Sequence, residues 1–356
     1  DSSSEYVSWS FRKAPKFFDV VTYTGDGTDA RQVSHNLGSS PGMIIVKRYN
    51  DSGYQWVTYH RSLSDGKYLT LDSTDAATNP GSNTMFGTNA QQTSTYFTLG
   101  SNANKNFYNG SGASYIAYLF AHNDSGDGEF GPDSDQDIIK CGSYTGNGSA
   151  TGPVIDLGFE PQWLLLKDAS STGNWRILDS MRHLGIGNRD GLWANENYAE
   201  DSSNETHVNV TPTGFQVTTT NGQINANNET YIFMAVRRGS LFPPEDATKV
   251  FSMDTQGSSA PYFDSNHIVD MSLVKALTIT GDWDLYTRLL GEKSLSTNKT
   301  SGEANASEAG FDFMDGHIDQ NWGSGFPRSS MWKRAPSFFD VVGYVGAGAA
   351  QTVNHN

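Results

Sequence analysis

The densest run of groups that could do chemistry is an acidic stretch at residues 123–137, NDSGDGEFGPDSDQD. Its carboxylates belong to Asp124, Asp127, Glu129, Asp133, Asp135 and Asp137. Ca2+ takes about six to eight oxygen ligands, and alternating aspartates in a glycine-bearing loop supply them. The stretch lacks the glycine and the final glutamate of an EF-hand loop, so a solvated acidic linker between domains is the alternative interpretation.

Other titratable residues give no catalytic pattern. The eight histidines are scattered, and no two have the spacing of a metal site. Most acidic residues lie in Gly-, Ser- and Asn-rich stretches, so no carboxylate pair can be assigned to glycoside hydrolysis. No serine nucleophile motif occurs in a strand–turn–helix context. We therefore predict that the protein is not an enzyme and that it needs no cofactor beyond the candidate calcium.

Charge and composition narrow the partners. The 356 residues include 39 acidic and 24 basic ones, for a formal net charge of −15. Phosphate binding needs clustered Lys and Arg, so we expect no nucleic-acid partner. No apolar run reaches the roughly 18 residues of a membrane span, so we expect no membrane insertion. The single cysteine, Cys141, excludes an intrachain disulfide framework.

A long internal repeat organises the elements around these residues. The sequence from Lys13 to Val21, KAPKFFDVV, recurs from Arg334 to Val342 as RAPSFFDVV, so that Asp19 and Asp340 lie 321 residues apart. The pattern reappears at the very end of the chain, so we interpret the sequence as a segment of a longer polypeptide.

A weaker threefold repeat divides this unit. A buried-strand pattern occurs as PGMIIVK at 41–47, PQWLLLK at 161–167 and VDMSLVK at 269–275. Each is followed by a tryptophan, then by a Phe strand and a closing aromatic strand. The predicted divisions are a closing strand of a preceding module at 1–14, whole modules at 15–125, 138–240 and 248–336, an acidic linker at 126–137, and the start of the next repeat at 337–356.

Strand composition sets the predicted fold class. The apolar runs are short and rich in Val, Ile and aromatic residues, and Gly, Asn, Asp and Ser lie between them. Dipeptides such as Asp26-Gly27 and Asn221-Gly222 predict two-residue hairpins, and residues 301–309 could form a short helix. We predict an all-β protein of tandem antiparallel β-sandwich, jelly-roll-like modules, three per 321-residue repeat. The irregular spacing disfavours a β-propeller.

The repeated tryptophans have two interpretations. Trp56, Trp175 and Trp283 each open a strand, and a large aromatic side chain there can anchor the core of its module. We predict this structural core role. The alternative is a platform on which sugar rings stack.

The segments YTGDGT, VSHNLGSSPGMIIVKR and WVTYHRSL at residues 23–63, with IIKCGSYTGNG and IDLGFEPQWLLLK at residues 138–167, resemble a repeated module of tail-fibre and tail-associated structural proteins of marine tailed bacteriophages. The resemblance covers residues 15–240 and implies a virion component, hence a virion or extracellular location. It implies contact with host surface glycans and no catalytic residues. Fibres generally self-associate, so we expect a homo-oligomer, either a trimer or a filament.

Two further functions stay open on the sequence alone. One is a purely architectural capsid-decoration or filament-forming protein, which suits a unit that recurs along the chain. The other is a secreted bacterial adhesin or carbohydrate-binding array. Glycan binding separates the tail fibre and the adhesin from the architectural protein.

Overall fold

A computed structural model describes residues 6–78, 84–101, 103–124, 130–182, 184–185, 191–200, 207–306, 310–317, 325–346 and 348–355. The chain divides into two compact units, one of residues 1–124 and 139–142, the other of residues 125–138 and 143–356. Strands and turns make up most of the described chain. In the same residues, no helix has the length and apolar character needed to cross a membrane.

The first module contains a five-stranded and a two-stranded antiparallel sheet. Its strands are β1 (Phe18–Thr24), β2 (Gln32–Ser34), β3 (Pro41–Arg48), β4 (Val57–His60), β5 (Leu69–Thr70), β6 (Tyr96–Thr98) and β7 (Ser114–Ala121). The large sheet has the order β1-β7-β3-β4-β5, and β2 pairs with β6. Phe97 of β6 is buried and packs edge-on against Tyr23 of β1, with ring centroids 6.2 Å apart, so the two sheets face each other.

The second module repeats this arrangement. Its elements are β8 (Ile139–Thr145), β9 (Val154–Asp156), β10 (Pro161–Asp168), β11 (Arg176–Asp179), β12 (Leu192–Trp193), β13 (Val208–Thr211), β14 (Gly214–Val217), α1 (Gly222–Asn225) and β15 (Thr230–Arg237). The large sheet has the order β12-β11-β10-β15-β8, and the small sheet has the order β13-β14-β9. Ile155 and Phe215 of the small sheet share one core with Leu164 and Phe233 of the large sheet.

The third module has a six-stranded and a two-stranded sheet. Its strands are β16 (Phe251–Thr255), β17 (Phe263–Asp264), β18 (Met271–Ala276), β19 (Trp283–Thr287), β20 (Lys293–Ser296), β21 (Ala304–Asn305), β22 (Gly316–His317) and β23 (Pro327–Trp332). The large sheet has the order β16-β23-β18-β19-β20-β21, and β17 pairs with β22. Phe263, Val274, Tyr286 and Met331 form its core.

All three modules share one strand order in the large sheet: first strand, closing strand, buried apolar strand, then the tryptophan-led strand and its neighbour. The apolar strands β3 and β10 are buried almost throughout, because each lies between two strands and is covered on both faces. The all-β fold with tandem antiparallel sandwich modules is therefore confirmed.

The predicted hairpins at the Gly dipeptides are wrong. Asp26-Gly27 joins β1 to β2, which belong to different sheets. In place of a hairpin partner, the buried Asn109 side chain holds this turn: its Oδ1 accepts from the Asp26 N–H at 3.2 Å, and its Nδ2 donates to the Thr28 carbonyl at 2.9 Å. Asn225 holds residues 147–149 of the second module through the same two kinds of bond. The motif therefore marks a crossover between two sheets.

Glycine at this crossover is required by a close approach. A Cβ on Gly25 would lie 2.1 Å from the Gly110 carbonyl oxygen, and one on Gly146 would lie 2.2 Å from that of Ala226. These contacts are far shorter than van der Waals contact, which explains why both modules carry the sequence Tyr-Thr-Gly at this point. Tyr23 and Tyr144 each stack on the closing strand, on Tyr115 and Tyr231, at 5.2 and 5.1 Å.

Two predicted elements at the chain ends and one in the third module differ from expectation. Residues 6–13, predicted as a closing strand, are not a strand, because they have no partner strand in the described chain to complete a ladder. Residues 340–346 are also irregular although they match β1 in sequence, since β1 gains its strand form from pairing with β7. The predicted helix at 301–309 contains β21, and residues 307–309 lie outside the described residues.

Candidate functional site

The repeated nonapeptide contains the same ion-paired turn in both of its copies. Near the start, Lys13 Nζ lies 2.8 Å from Asp19 Oδ1, and the Val20 N–H donates to the same carboxylate at 2.8 Å. Near the end, Arg334 Nε lies 2.7 Å from Asp340 Oδ1, which accepts from the Val341 N–H at 2.9 Å. The sequence therefore encodes a preformed turn, closed by one ion pair.

The second copy of this turn is anchored to the second module. Arg334 donates from both terminal nitrogens to the carboxylate of Glu160, at 2.8 and 2.7 Å. Glu160 precedes β10, and both side chains are almost fully buried. Val341 of the same turn packs against the core of the second module. Because bidentate guanidinium–carboxylate pairs are directional, this contact fixes both position and orientation.

Asp270, just before β18, brings the third module into the same cluster. Its carboxylate accepts from the Arg334 backbone N–H at 2.7 Å and lies 2.9 Å from Arg238. Arg238 follows β15 of the second module, and its Nε is also 3.7 Å from Glu160. The elements that supply these residues thus come from the second module, the third module and the turn after it.

Arg288 completes the cluster from the other side. It follows β19, and its Nε lies 3.7 Å from Asp270 Oδ1. Its guanidinium also donates to the carbonyls of Val269 and Phe311 in its own module, and to the Ser180 carbonyl of the second module at 3.0 Å. One arginine therefore ties two modules together through backbone oxygens, which no substitution of a neighbouring side chain can remove.

We call this set of residues the junction cluster. Its members are Glu160, Arg238, Asp270, Arg288, Arg334 and Asp340. Three carboxylates oppose three guanidinium groups, so the formal charges balance within the cluster. Balance is needed because an unpaired charge taken out of water costs several kcal/mol. The carboxylates and guanidinium groups of the cluster neutralise one another, and this pairing joins the second module to the third and to the turn after it.

The pKa shifts of Asp270 and Arg334 agree with this charge balance. Burial by itself would raise the pKa of Asp270, but Arg238 and Arg288 outweigh it and hold the pKa below the ordinary value of 3.8. Burial acts to lower the pKa of Arg334, yet the hydrogen bonds and charge of Glu160 raise it above its ordinary value. Both groups therefore stay charged at neutral pH, and the cluster persists as ion pairs.

An apolar contact reinforces the junction cluster. Leu289, next to Arg288, is buried in the core of the second module together with Leu178 and Leu184. Its carbonyl comes so close to Gly185 that a Cβ there would lie 2.5 Å from the oxygen. Leu289 of the third module therefore lies in the core of the second, so an apolar contact crosses the predicted boundary between 138–240 and 248–336.

Sequence reasoning missed the junction cluster because its members are 174 residues apart at the widest contact. One signal was available: Lys13 and Asp19 keep their charges in the second copy as Arg334 and Asp340. A charge pair retained between repeats, next to Phe-Phe, indicates a structural ion pair. Nothing in the sequence names Glu160 or Asp270 as partners.

The candidate calcium ligands do not come together in the described chain. Asp124, Asp133 and Asp135 are exposed and Asp137 is buried, while Asp127 and Glu129 lie outside the described residues. Among the residues that the structure describes, no group of three or more His, Cys, Asp or Glu side chains is placed to hold a metal ion. The calcium site stays a prediction for residues 124–137.

The three tryptophans differ in environment. Trp175 is buried with 1% of its surface exposed, Trp56 is half-buried, and Trp283 is 43% exposed. The prediction that each anchors a core is therefore wrong for Trp283. The buried aromatic residues of the third module are Phe263, Tyr286 and Phe311.

The fold and the junction cluster define an all-β repeat protein whose second and third sandwich modules are joined by buried ion pairs and by Leu289. The chain belongs to the family described as a domain of unknown function (DUF7483), whose model matches residues 1–238. The match ends at the end of β15 and so spans the first two modules. No curated protein and no solved structure matches the chain.

Proposed function

We propose that this chain is a structural component of a virion appendage, a tail fibre or a related tail protein, built of tandem β-sandwich modules. The observation that carries the structural role is the bidentate Arg334–Glu160 contact, which fixes the turn after the third module onto the second. A hinge between domains would leave polar, hydrated surfaces, whereas this junction is buried and charge-balanced. The proposal includes no catalytic activity.

The repeated turn extends this role along a polypeptide. Because Lys13–Asp19 and Arg334–Asp340 form the same ion pair, the turn that opens one repeat is suited to dock on the second module of the repeat before it. The stability of such arrays is approximately the sum of the stabilities of the modules and of the interfaces between them. Each buried interface therefore adds one more module to the rigid segment of the chain. The resemblance to tail proteins supplies the proposed location, the virion.

Mechanical unfolding tests the structural role. In single-molecule pulling of the chain, the second and third modules should unfold in one event, because they share Leu289 and the junction cluster. Glu160→Gln should split that event into two. Separate unfolding of the two modules in the unsubstituted chain would contradict the proposal.

Labelling tests the location and separates the open alternatives. Gold-conjugated antibodies against the chain should mark the tail of purified virus particles that carry the protein. Labelling of the capsid would favour the decoration protein, and labelling of a bacterial surface without virus would favour the adhesin. Sedimentation of the purified chain tests the proposed homo-oligomer, since a monomer at every concentration would contradict it.

A further inference from the structure

The three repeated tryptophans share one backbone anchor. The N–H of Trp56 donates to Asp72 Oδ1 at 3.0 Å, that of Trp175 to Asn195 Oδ1 at 2.8 Å, and that of Trp283 to Asn298 Oδ1 at 3.0 Å. The position is therefore structurally equivalent in the three modules. The exposure of the indole ring differs among the three modules.

Trp283 is the exposed member of the set. Its exposed fraction is 43%, against 1% for Trp175. Leu277 and Ile279, in the connection between β18 and β19, are 54% and 46% exposed. Leaving a large ring and its apolar neighbours in water forfeits the free energy of burial, and such surfaces commonly mark binding sites.

The Trp283 ring is held in place by its neighbours. Lys275, its cross-strand partner on β18, places Nζ 5.9 Å from the ring centroid. The same Nζ donates to the Gly281 carbonyl at 2.5 Å. This contact lies at the outer limit of a cation–π interaction and places a positive charge close to the ring.

Polar groups surround the backbone of Trp283: Asn298, which accepts from the Trp283 N–H, also contacts the preceding residue, Asp282. Asn298 Nδ2 donates to Asp282 Oδ1 at 3.0 Å, and Lys299 forms an ion pair with the other oxygen of Asp282. The hydrogen bonds from Lys299 and Asn298 lower the pKa of Asp282, which keeps it a carboxylate. A hydrogen-bonded carboxylate, amide and ammonium group beside the backbone of an exposed tryptophan are the groups that pair with sugar hydroxyls, while the indole ring contacts C–H groups.

From this arrangement we propose that Trp283, with Asp282, Asn298 and Lys299, forms a binding site for a neutral pyranose ring of a surface glycan. The inference rests on the proposed tail-fibre function, for which the sequence resemblance implies contact with host surface glycans, and assigns that contact to one site. Neutrality follows from charge: Asp282 and Asp284 interact with Lys275 and Lys299 and offset their charges, and a chain with net charge −15 repels polyanions. The polar groups around the Trp283 backbone favour a hydroxylated ligand over a second apolar surface.

Saturation-transfer NMR and calorimetry test the site on the full chain, with cellohexaose, laminarihexaose and β-1,4-galactohexaose as probes. At least one probe should bind in the millimolar range expected of a single small site. Trp283→Ala should weaken that binding about tenfold or more, as removal of a central aromatic contact does. Trp283→Phe should retain part of it, and Asp282→Ala should weaken it without changing the circular dichroism spectrum.

Phe242→Ala is the matched control, because Phe242 is 59% exposed and lies in the segment between β15 and β16. It should leave the affinity unchanged. Absence of binding by all three probes at about 10 mM, or equal affinity of Trp283→Ala, would overturn the inference. Concentration-dependent dimerisation abolished by Trp283→Ala, without saccharide binding, would also overturn it, by making the surface a self-contact. Joint unfolding of the modules under force would in each case leave the structural role standing.

Discussion

Arg334 donates hydrogen bonds from both terminal nitrogens to the carboxylate of Glu160, which lies 174 residues earlier in the chain. Around this pair, three acidic and three basic side chains neutralise one another inside the protein. The contact joins the turn that opens the next repeat, after β23, to the second module.

Glu160→Gln should destabilise the second unit by about 3–5 kcal/mol, because it removes one of the two carboxylates that pair with the buried Arg334 and leaves a net positive charge in the junction cluster. The measurement is the free energy of unfolding from urea titration. Glu303→Gln is the matched control: it removes the partner of Lys293 in an exposed pair and should cost about 1 kcal/mol or less. Equal effects of the two substitutions would show that the junction cluster does not hold the unit together.

Acid should weaken the junction through Asp270. Its pKa in the folded protein is lower than the ordinary 3.8, so the stability it contributes is fully present above about pH 3.8 and is lost as the pH falls through the folded pKa. Urea midpoints measured between about pH 5 and pH 2.5 should therefore fall toward acid. Asp270→Asn should be less stable at pH 7 and should show a shallower fall; an unchanged slope would exclude Asp270 as a source of the dependence.

Leu289→Ala should loosen the second module although the residue belongs to the third. The substitution leaves a cavity in the core that contains Leu178 and Leu184, and such cavities cost about 2–5 kcal/mol. Hydrogen exchange should speed up in β10 and β15. Leu277→Ala, at a position 54% exposed, is the control and should leave those strands unchanged. Faster exchange confined to the third module would contradict the burial of Leu289 in the core of the second module.

Gly146→Ala should cost about 1–3 kcal/mol, because its Cβ would lie 2.2 Å from the Ala226 carbonyl oxygen and the crossover turn must move. Gly302→Ala is the control, since no atom lies within 4 Å of a Cβ at that position. Thermal unfolding by calorimetry measures both. If the two variants melt together, the turn is not held closely against residues 225–226.

The sequence by itself determined the fold class and the repeat. Short apolar runs such as PGMIIVK and PQWLLLK alternate with Gly- and Asn-rich turns, and this local pattern specifies strands wherever a neighbouring strand is present. It also determined the turn at Asp19 and Asp340, because the ion pair that closes each copy spans only six residues. Both features depend on residues close together in the chain, and such local patterns can be recognised in the sequence alone.

The tertiary structure decided the rest, because the remaining contacts join residues far apart in the chain. Residues 340–346 repeat the sequence of β1 yet form no strand, since a ladder needs a partner. The three tryptophans look alike in the sequence, but the surrounding tertiary structure buries Trp175 and leaves Trp283 43% exposed. Glu160, Asp270 and Arg288 become a site only when two modules meet, because charge balance is a property of the assembled cluster and not of any segment.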